Sequence, residues 1–127
     1  MRNEPATPVA VTLPATAGAS AQARRLVDEA VTAWGVSPEV AEDAALVVTE
    51  LVSNAVDHAT GPLELTVSRT PDGLRVEVAD QSPAMPQPRP VQVDSARGRG
   101  LIIVAALSRD WGTSPRAVGK AVWAELA

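Results

Sequence analysis

Glu50-Leu51-Val52-Ser53-Asn54-Ala55-Val56-Asp57-His58 closes a long helical pattern and carries three polar side chains at a spacing of four. With 3.6 residues per turn, positions i, i+4 and i+8 of a helix stack on one face, so Glu50, Asn54 and His58 share a stripe. Ala45, Leu46, Val48, Leu51, Val52 and Ala55 can meanwhile serve a core. A carboxylate one turn before a carboxamide suits a site that orients a nucleophile and holds a hard metal ion. The same run also reads as the polar face of an ordinary amphipathic helix. The rest of the chain decides between them.

Upstream, Ser37-Pro38-Glu39-Val40 reads as an N-cap followed by proline at the first helical position, and Gly61-Pro62 closes the helix after His58 or Ala59. Before it, Ser20 is a candidate N-cap for a helix over Ala21 to Trp34, with Leu26, Val27, Ala30, Val31 and Trp34 at helical spacing and Gly35 as its stop. Val9, Val11 and Leu13 alternate with Ala10 and Thr12 in a short strand that ends at Pro14, and residues 1–6 read as a flexible terminus.

Downstream, Leu63, Leu65 and Val67 alternate with Glu64, Thr66 and Ser68; Leu74, Val76 and Val78 alternate with Arg75, Glu77 and Ala79. Thr70-Pro71-Asp72-Gly73 joins these runs into a hairpin. Residues 81–97 have no periodicity and include Pro83, Pro86, Pro88 and Pro90, so a lid or binding loop is expected over about 84–97. Gly98 and Gly100 precede a helix over Leu101 to Leu107, and two strands, Trp111 to Ser114 and Ala121 to Leu126, flank a last turn. Trp34, Trp111 and Trp123 are expected as core anchors. The order predicts one domain over 7–127, an α/β (α+β) two-layer sandwich with a mostly antiparallel sheet and helices on one face.

With 127 residues the chain can build a real core, and its 46% of apolar residues are largely Ala and Val, which suits helices packed closely on a sheet. The net charge of −4 gives no basic surface for nucleic acid. The absence of cysteine excludes disulfides, thiol catalysis and cysteine-ligated zinc, and one histidine excludes a histidine-rich metal site. No apolar run approaches the ~20 residues of a membrane span. A cytoplasmic location, with no membrane partner, is the expectation. Ten of the eleven basic residues are arginine, which leaves Lys120 as the one lysine.

Two further segments bear on the site. Asp80-Gln81-Ser82-Pro83 begins where the second hairpin strand stops. A carboxylate there can accept a hydrogen bond from the exocyclic amine of adenine, or it can end the strand in an Asx turn. Gly98-Arg99-Gly100-Leu101 opens a helix, where glycine lets backbone N–H groups approach an anion and the helix N-terminus favours negative charge. Glycine hinges also precede many helices that bind nothing.

Taken in this order, the three segments resemble the Bergerat-fold ATPases, the superfamily of gyrase, Hsp90, histidine kinases and MutL. Glu50-x-x-x-Asn54 matches the superfamily's N box, Asp80-Gln-Ser82-Pro-Ala-Met85 stands at its first glycine box, and Gly98-x-Gly100 at its second. Ser82 and Ala84 stand where the first box usually has glycine. Glu-Leu-Val-Ser-Asn-Ala-Val-Asp-His-Ala, Gly-Arg-Gly-Leu and the closing Gly-Lys-Ala-Val-Trp are similar to the small anti-sigma-factor serine kinases and the short actinobacterial ATP-binding regulatory proteins.

The resemblance implies ATP and Mg²⁺ as cofactors. It implies Glu50 as the catalytic carboxylate that orients or deprotonates the attacking hydroxyl, Asn54 as the Mg²⁺ ligand, and Asp80 with Ser82 at the adenine. It places Gly98, Arg99, Gly100 and Leu101 at the phosphates. Arg97 and Arg99 fit phosphate neutralisation or solvated positions equally; His58 fits a place near the phosphates or simple complementation of the helix dipole. Asp57, about 60° off the Glu50–Asn54 stripe at ~100° per residue, and Lys120 are expected at the surface. The implied partners are a sigma factor that the protein sequesters and an anti-anti-sigma factor whose serine it phosphorylates, with a homodimer as the form seen among such proteins. A nucleotide-dependent interaction module without phosphotransfer is the alternative.

Overall fold

The computed structural model of the chain describes residues 8–58, 61–81 and 95–127, over 95–100 the backbone alone. Strand β1 (Val9–Leu13) leads to helices α1 (Ala19–Trp34) and α2 (Pro38–His58), then to strands β2 (Leu63–Arg69) and β3 (Leu74–Asp80). Helix α3 (Ser95–Leu107) and strands β4 (Asp110–Pro115) and β5 (Lys120–Leu126) complete the order. The five strands form one sheet in the order β1-β2-β3-β5-β4, and every neighbouring pair is antiparallel. The two-layer architecture expected from the sequence is the one observed.

Period-two alternation sorts the sheet's side chains. Val11, Leu65, Val78 and Val122 stand opposite one another in register, as do Val9, Val67, Val76 and Ala124. These positions point to the helical layer, where α1 contributes Ala23, Val27 and Val31 and α2 contributes Ala44, Val47, Val48, Leu51 and Val52 to the core. Each fully buried Val or Leu contributes about 1.5–3 kcal/mol over an exposed one, so this seam dominates the stability of the fold. Ala19 and Ala23 are fully buried, and such small side chains let α1 lie close against α2.

Local signals fix the helix ends. Gly35 takes the left-handed conformation at φ 66° and its N–H reaches the Thr32 carbonyl, while the Val36 N–H reaches that of Val31. At the start of α2 the Ser37 hydroxyl accepts a hydrogen bond from the Val40 N–H at 3.4 Å. In the β2–β3 turn the Gly73 N–H donates to Thr70 Oγ1 at 3.0 Å.

The structure corrects four expectations. Helix α1 starts at Ala19 behind Gly18, so Ser20 lies inside it, and its hydroxyl meets that of Ser53 on α2 at 3.1 Å instead of capping. Leu46 is 50% exposed, because it lies one turn before Glu50 on the polar stripe of α2. Trp34 and Trp111 pack on the core, but Trp123 occupies the opposite face of the sheet, where the Arg75 guanidinium stands 4.4 Å from its ring centroid. Its parity explains this: Val122, Ala124 and Leu126 point inward, so Trp123 points outward. Finally, α3 begins at Ser95, which places Gly98 and Gly100 within its first two turns and residues 95–97 in helix instead of a loop.

On that outer face a line of ion pairs runs across β3, β5 and the adjoining turns. Asp72 pairs with Arg109 at 3.2 Å, Arg109 with Glu125 at 3.5 Å, Glu125 with Arg75 at 3.1 Å, Arg75 with Glu77 at 3.3 Å, and Glu77 with Arg116. This face is polar and self-paired, whereas the other face is covered by helices.

Candidate functional site

The C-terminal half of α2 crosses the ends of β3 and β5 and leaves a shallow recess, open to solvent, between helix and sheet. Leu51 and Ala55 from α2, with Val78 and Val122 from the sheet, form apolar walls; Asn54, His58, Asp80 and Lys120 supply the polar groups. A recess with apolar sides and a few convergent polar groups is the form small-molecule sites take.

Each polar group is placed by a feature of the fold. Asp80 is the last residue of β3 and shares parity with Leu74, Val76 and Val78, so it faces the helical layer. It is 4% exposed and is the buried charged residue among those described. Burying a carboxylate is costly unless it is paired or hydrogen-bonded. Lys120 begins β5 and stands opposite Asp80 in register. Asn54 comes from the stripe of α2, half-buried at the recess, and His58 reaches it from the exposed last turn of that helix.

The sequence-predicted residues therefore divide into three groups. Asn54, His58 and Asp80 come together around one recess, although α2 and β3 are separated in the chain by β2. Glu50 is half-buried one turn before Asn54, on the same helix but beyond the recess lining. Arg97, Gly98, Arg99 and Gly100 lie in the first two turns of α3, where the backbone alone is described, and Leu101 follows them at 36% exposure. Ser82 and the lid expected over 84–94 lie outside the described residues. Asp57 is exposed, as expected.

Lys120 was missed. Its charge suggested a surface position, but the structure holds it half-buried against the recess. The signal was the parity of β5: Lys120 precedes Val122, Ala124 and Leu126 by even steps and must share their face. Leu51 and Ala55, read as core residues, also double as recess walls.

Among the described residues no three of His, Cys, Asp and Glu cluster as a metal site. The carboxamide of Asn54, half-buried at the recess, would suit a nucleotide-borne Mg²⁺, which takes one or two protein ligands and fills its shell with phosphate oxygens and water.

Residues 13–126 match the histidine kinase-like ATPase domain. The chain belongs to that family. The family is one of ATPase domains, so ATP is the ligand of this fold, and the resemblance to Bergerat-type ATP-binding proteins read from the three motifs is borne out. No curated protein matches the chain. Among solved structures, the crystal structure of the RsbU and RsbW domains of Rv1364c from Mycobacterium tuberculosis superposes with a TM-score of 0.72 over 96% of the chain. The two are 23% identical, a level at which the likeness speaks for the fold. The chain spans 33% of the length of that protein's chain. No helix among the described residues is long and apolar enough to cross a membrane.

Proposed function

We propose that the protein is an ATP-binding regulator with protein-serine kinase activity, resembling an anti-sigma factor that phosphorylates an anti-anti-sigma factor. The observation that carries this reading is the meeting of Asn54 and Asp80 at one recess, with Glu50 one helical turn beyond. In this reading the adenine enters between Leu51, Ala55, Val78 and Val122, and Asp80 accepts a hydrogen bond from its amine. Asn54 would hold Mg²⁺ through its amide oxygen, and the ion, when bound, would supply charge to offset the phosphates. The start of α3, with Arg97 and Arg99, takes the phosphates.

Glu50 then lies where the γ-phosphate ends. Its carboxylate orients a serine hydroxyl of the partner and accepts its proton while the hydroxyl oxygen bonds to the γ-phosphorus and the bond from phosphorus to ADP breaks. A positioned base of this kind contributes roughly 10²–10⁴-fold in rate. The sigma factor and the homodimer rest on the sequence resemblance, and the cytoplasmic location on the lack of a long apolar run in the sequence.

The test is incubation with γ-labelled ATP and candidate partner proteins, followed by mapping of the labelled residue. Label on a partner serine supports the kinase. ATP-dependent partner binding without label supports the second reading, an interaction module without phosphotransfer, which Ser82 and Ala84 in the first glycine box favour.

A further inference from the structure

The recess contains a cation that the three motifs leave unused. Lys120 and Asp80 are register partners on adjacent antiparallel strands, and both have the parity that faces the helices. Directly opposed side chains on one face have their Cβ atoms roughly 5 Å apart. Both line the recess, whose walls beside them are the apolar Val78 and Val122. A hydrogen-bond acceptor and a cationic donor therefore stand side by side at the base of an apolar slot.

We propose that Lys120 is a base-reading residue: its ammonium donates to the ring nitrogen beside the exocyclic amine of adenine while Asp80 accepts from the amine itself. The inference rests on the nucleotide reading of the recess and adds a residue to it. Adenine has the complementary pattern, since its amine donor is flanked by the acceptors N1 on one side and N7 on the other. Lysine has three donors and no acceptor, so beside Asp80 it can serve either nitrogen. A guanine in the same pose would present its O6 to the Asp80 carboxylate, acceptor against acceptor, so in that pose the pair favours adenine. The side chain also suits the slot: its four-carbon stem lies along apolar walls and its charge is at the tip.

Calorimetric titration with Mg²⁺ and ADP, 1-deaza-ADP, 7-deaza-ADP and GDP tests this on the wild-type chain and on Lys120→Met, which keeps the stem and removes the ammonium. A hydrogen bond to a charged donor is worth about ten- to a hundredfold in affinity. The wild type is expected to bind one of the two deaza analogues more weakly than ADP by that factor, and GDP more weakly still. Lys120→Met is expected to lose the same factor for ADP and to bind ADP and that analogue equally. The identity of the weakened analogue shows which ring nitrogen is read. Equal binding of ADP and both analogues by the wild type overturns the proposal, as does an unchanged analogue preference in Lys120→Met or equal affinity for GDP and ADP. The wild-type comparison stands even if the variant fails to fold. A wild type that binds no ADP at all sinks the nucleotide site itself, an outcome distinct from ADP binding without base discrimination.

Discussion

Gly119 lies against the backbone carbonyl of Asp80, so closely that a methyl group built on it would overlap that oxygen and stand 3.0 Å from Oδ1. Its φ is +80°, a conformation that side chains other than glycine adopt at a cost of order 1–3 kcal/mol. The last turn is thus pressed onto the end of β3 by a residue with no side chain, and the Arg116 N–H donates to the Gly119 carbonyl at 3.1 Å to close it. Both charged groups at the base of the recess depend on this contact.

Gly119→Ala should lower both stability and nucleotide affinity. The strained φ predicts a loss of about 1–3 kcal/mol in unfolding free energy. Displacing Asp80 predicts a further loss of affinity for ADP, measured on protein that is still folded. Denaturant unfolding and calorimetry separate the two effects. A variant as stable as wild type would show that the turn relaxes without moving β3.

The fold was legible wherever one period ran long enough to exclude the other. Helix α2 announces itself by Ser37-Pro38 at one end and by the Val48, Leu51, Val52, Ala55 spacing inside, although Ala44 and Val47, not Ala45 and Leu46, proved to be its other buried positions. The β2–β3 hairpin announces itself by clean alternation around Thr70 to Gly73. The start of α3 was not legible, because Ser95-Ala96-Arg97-Gly98-Arg99-Gly100 has no apolar periodicity and two glycines, each costing about 1 kcal/mol in a helix interior. In the site, Asn54 and Asp80 could be named because residue type and position agreed. Lys120 could not, because its charge argued for solvent while its parity argued for the recess. Parity prevailed, since reversing it would have turned Val122, Ala124 and Leu126 out of the core.

Asp80→Asn should weaken adenine nucleotides far more than it weakens the fold. The amide keeps the shape of the carboxylate at a position 4% exposed, but it replaces a charged acceptor with a neutral one. Hydrogen bonds to charged groups are worth about 1.5–3 kcal/mol, so roughly ten- to a hundredfold in ADP affinity is at stake. Unchanged affinity would remove Asp80 from the base-binding role.

Asn54→Ala should abolish the Mg²⁺ dependence of ATP binding and leave α2 intact. Alanine is a better helix former than asparagine, and the residue is only half-buried, so propensity gives no reason for stability to fall. Titrations with ATP in Mg²⁺ and in EDTA give the comparison. Wild-type Mg²⁺ linkage in the variant would mean that the carboxamide is a polar surface group and not a ligand.

Glu50→Gln should bind ATP as the wild type does and lose phosphotransfer by about 10²–10⁴-fold. The two properties should come apart because Glu50 does not line the recess proposed for the base, yet stands one turn from Asn54 on the same stripe of α2. Glutamine preserves the shape and the helix but cannot accept the serine proton. A single-time-point assay with labelled ATP and a partner that the wild type phosphorylates measures the rate, and calorimetry on the same preparation measures binding. Transfer at the wild-type rate would exclude Glu50 as the catalytic carboxylate. Equal losses of binding and rate would instead make it a structural support of the helix, since a group acting only on the hydroxyl leaves the nucleotide's affinity untouched.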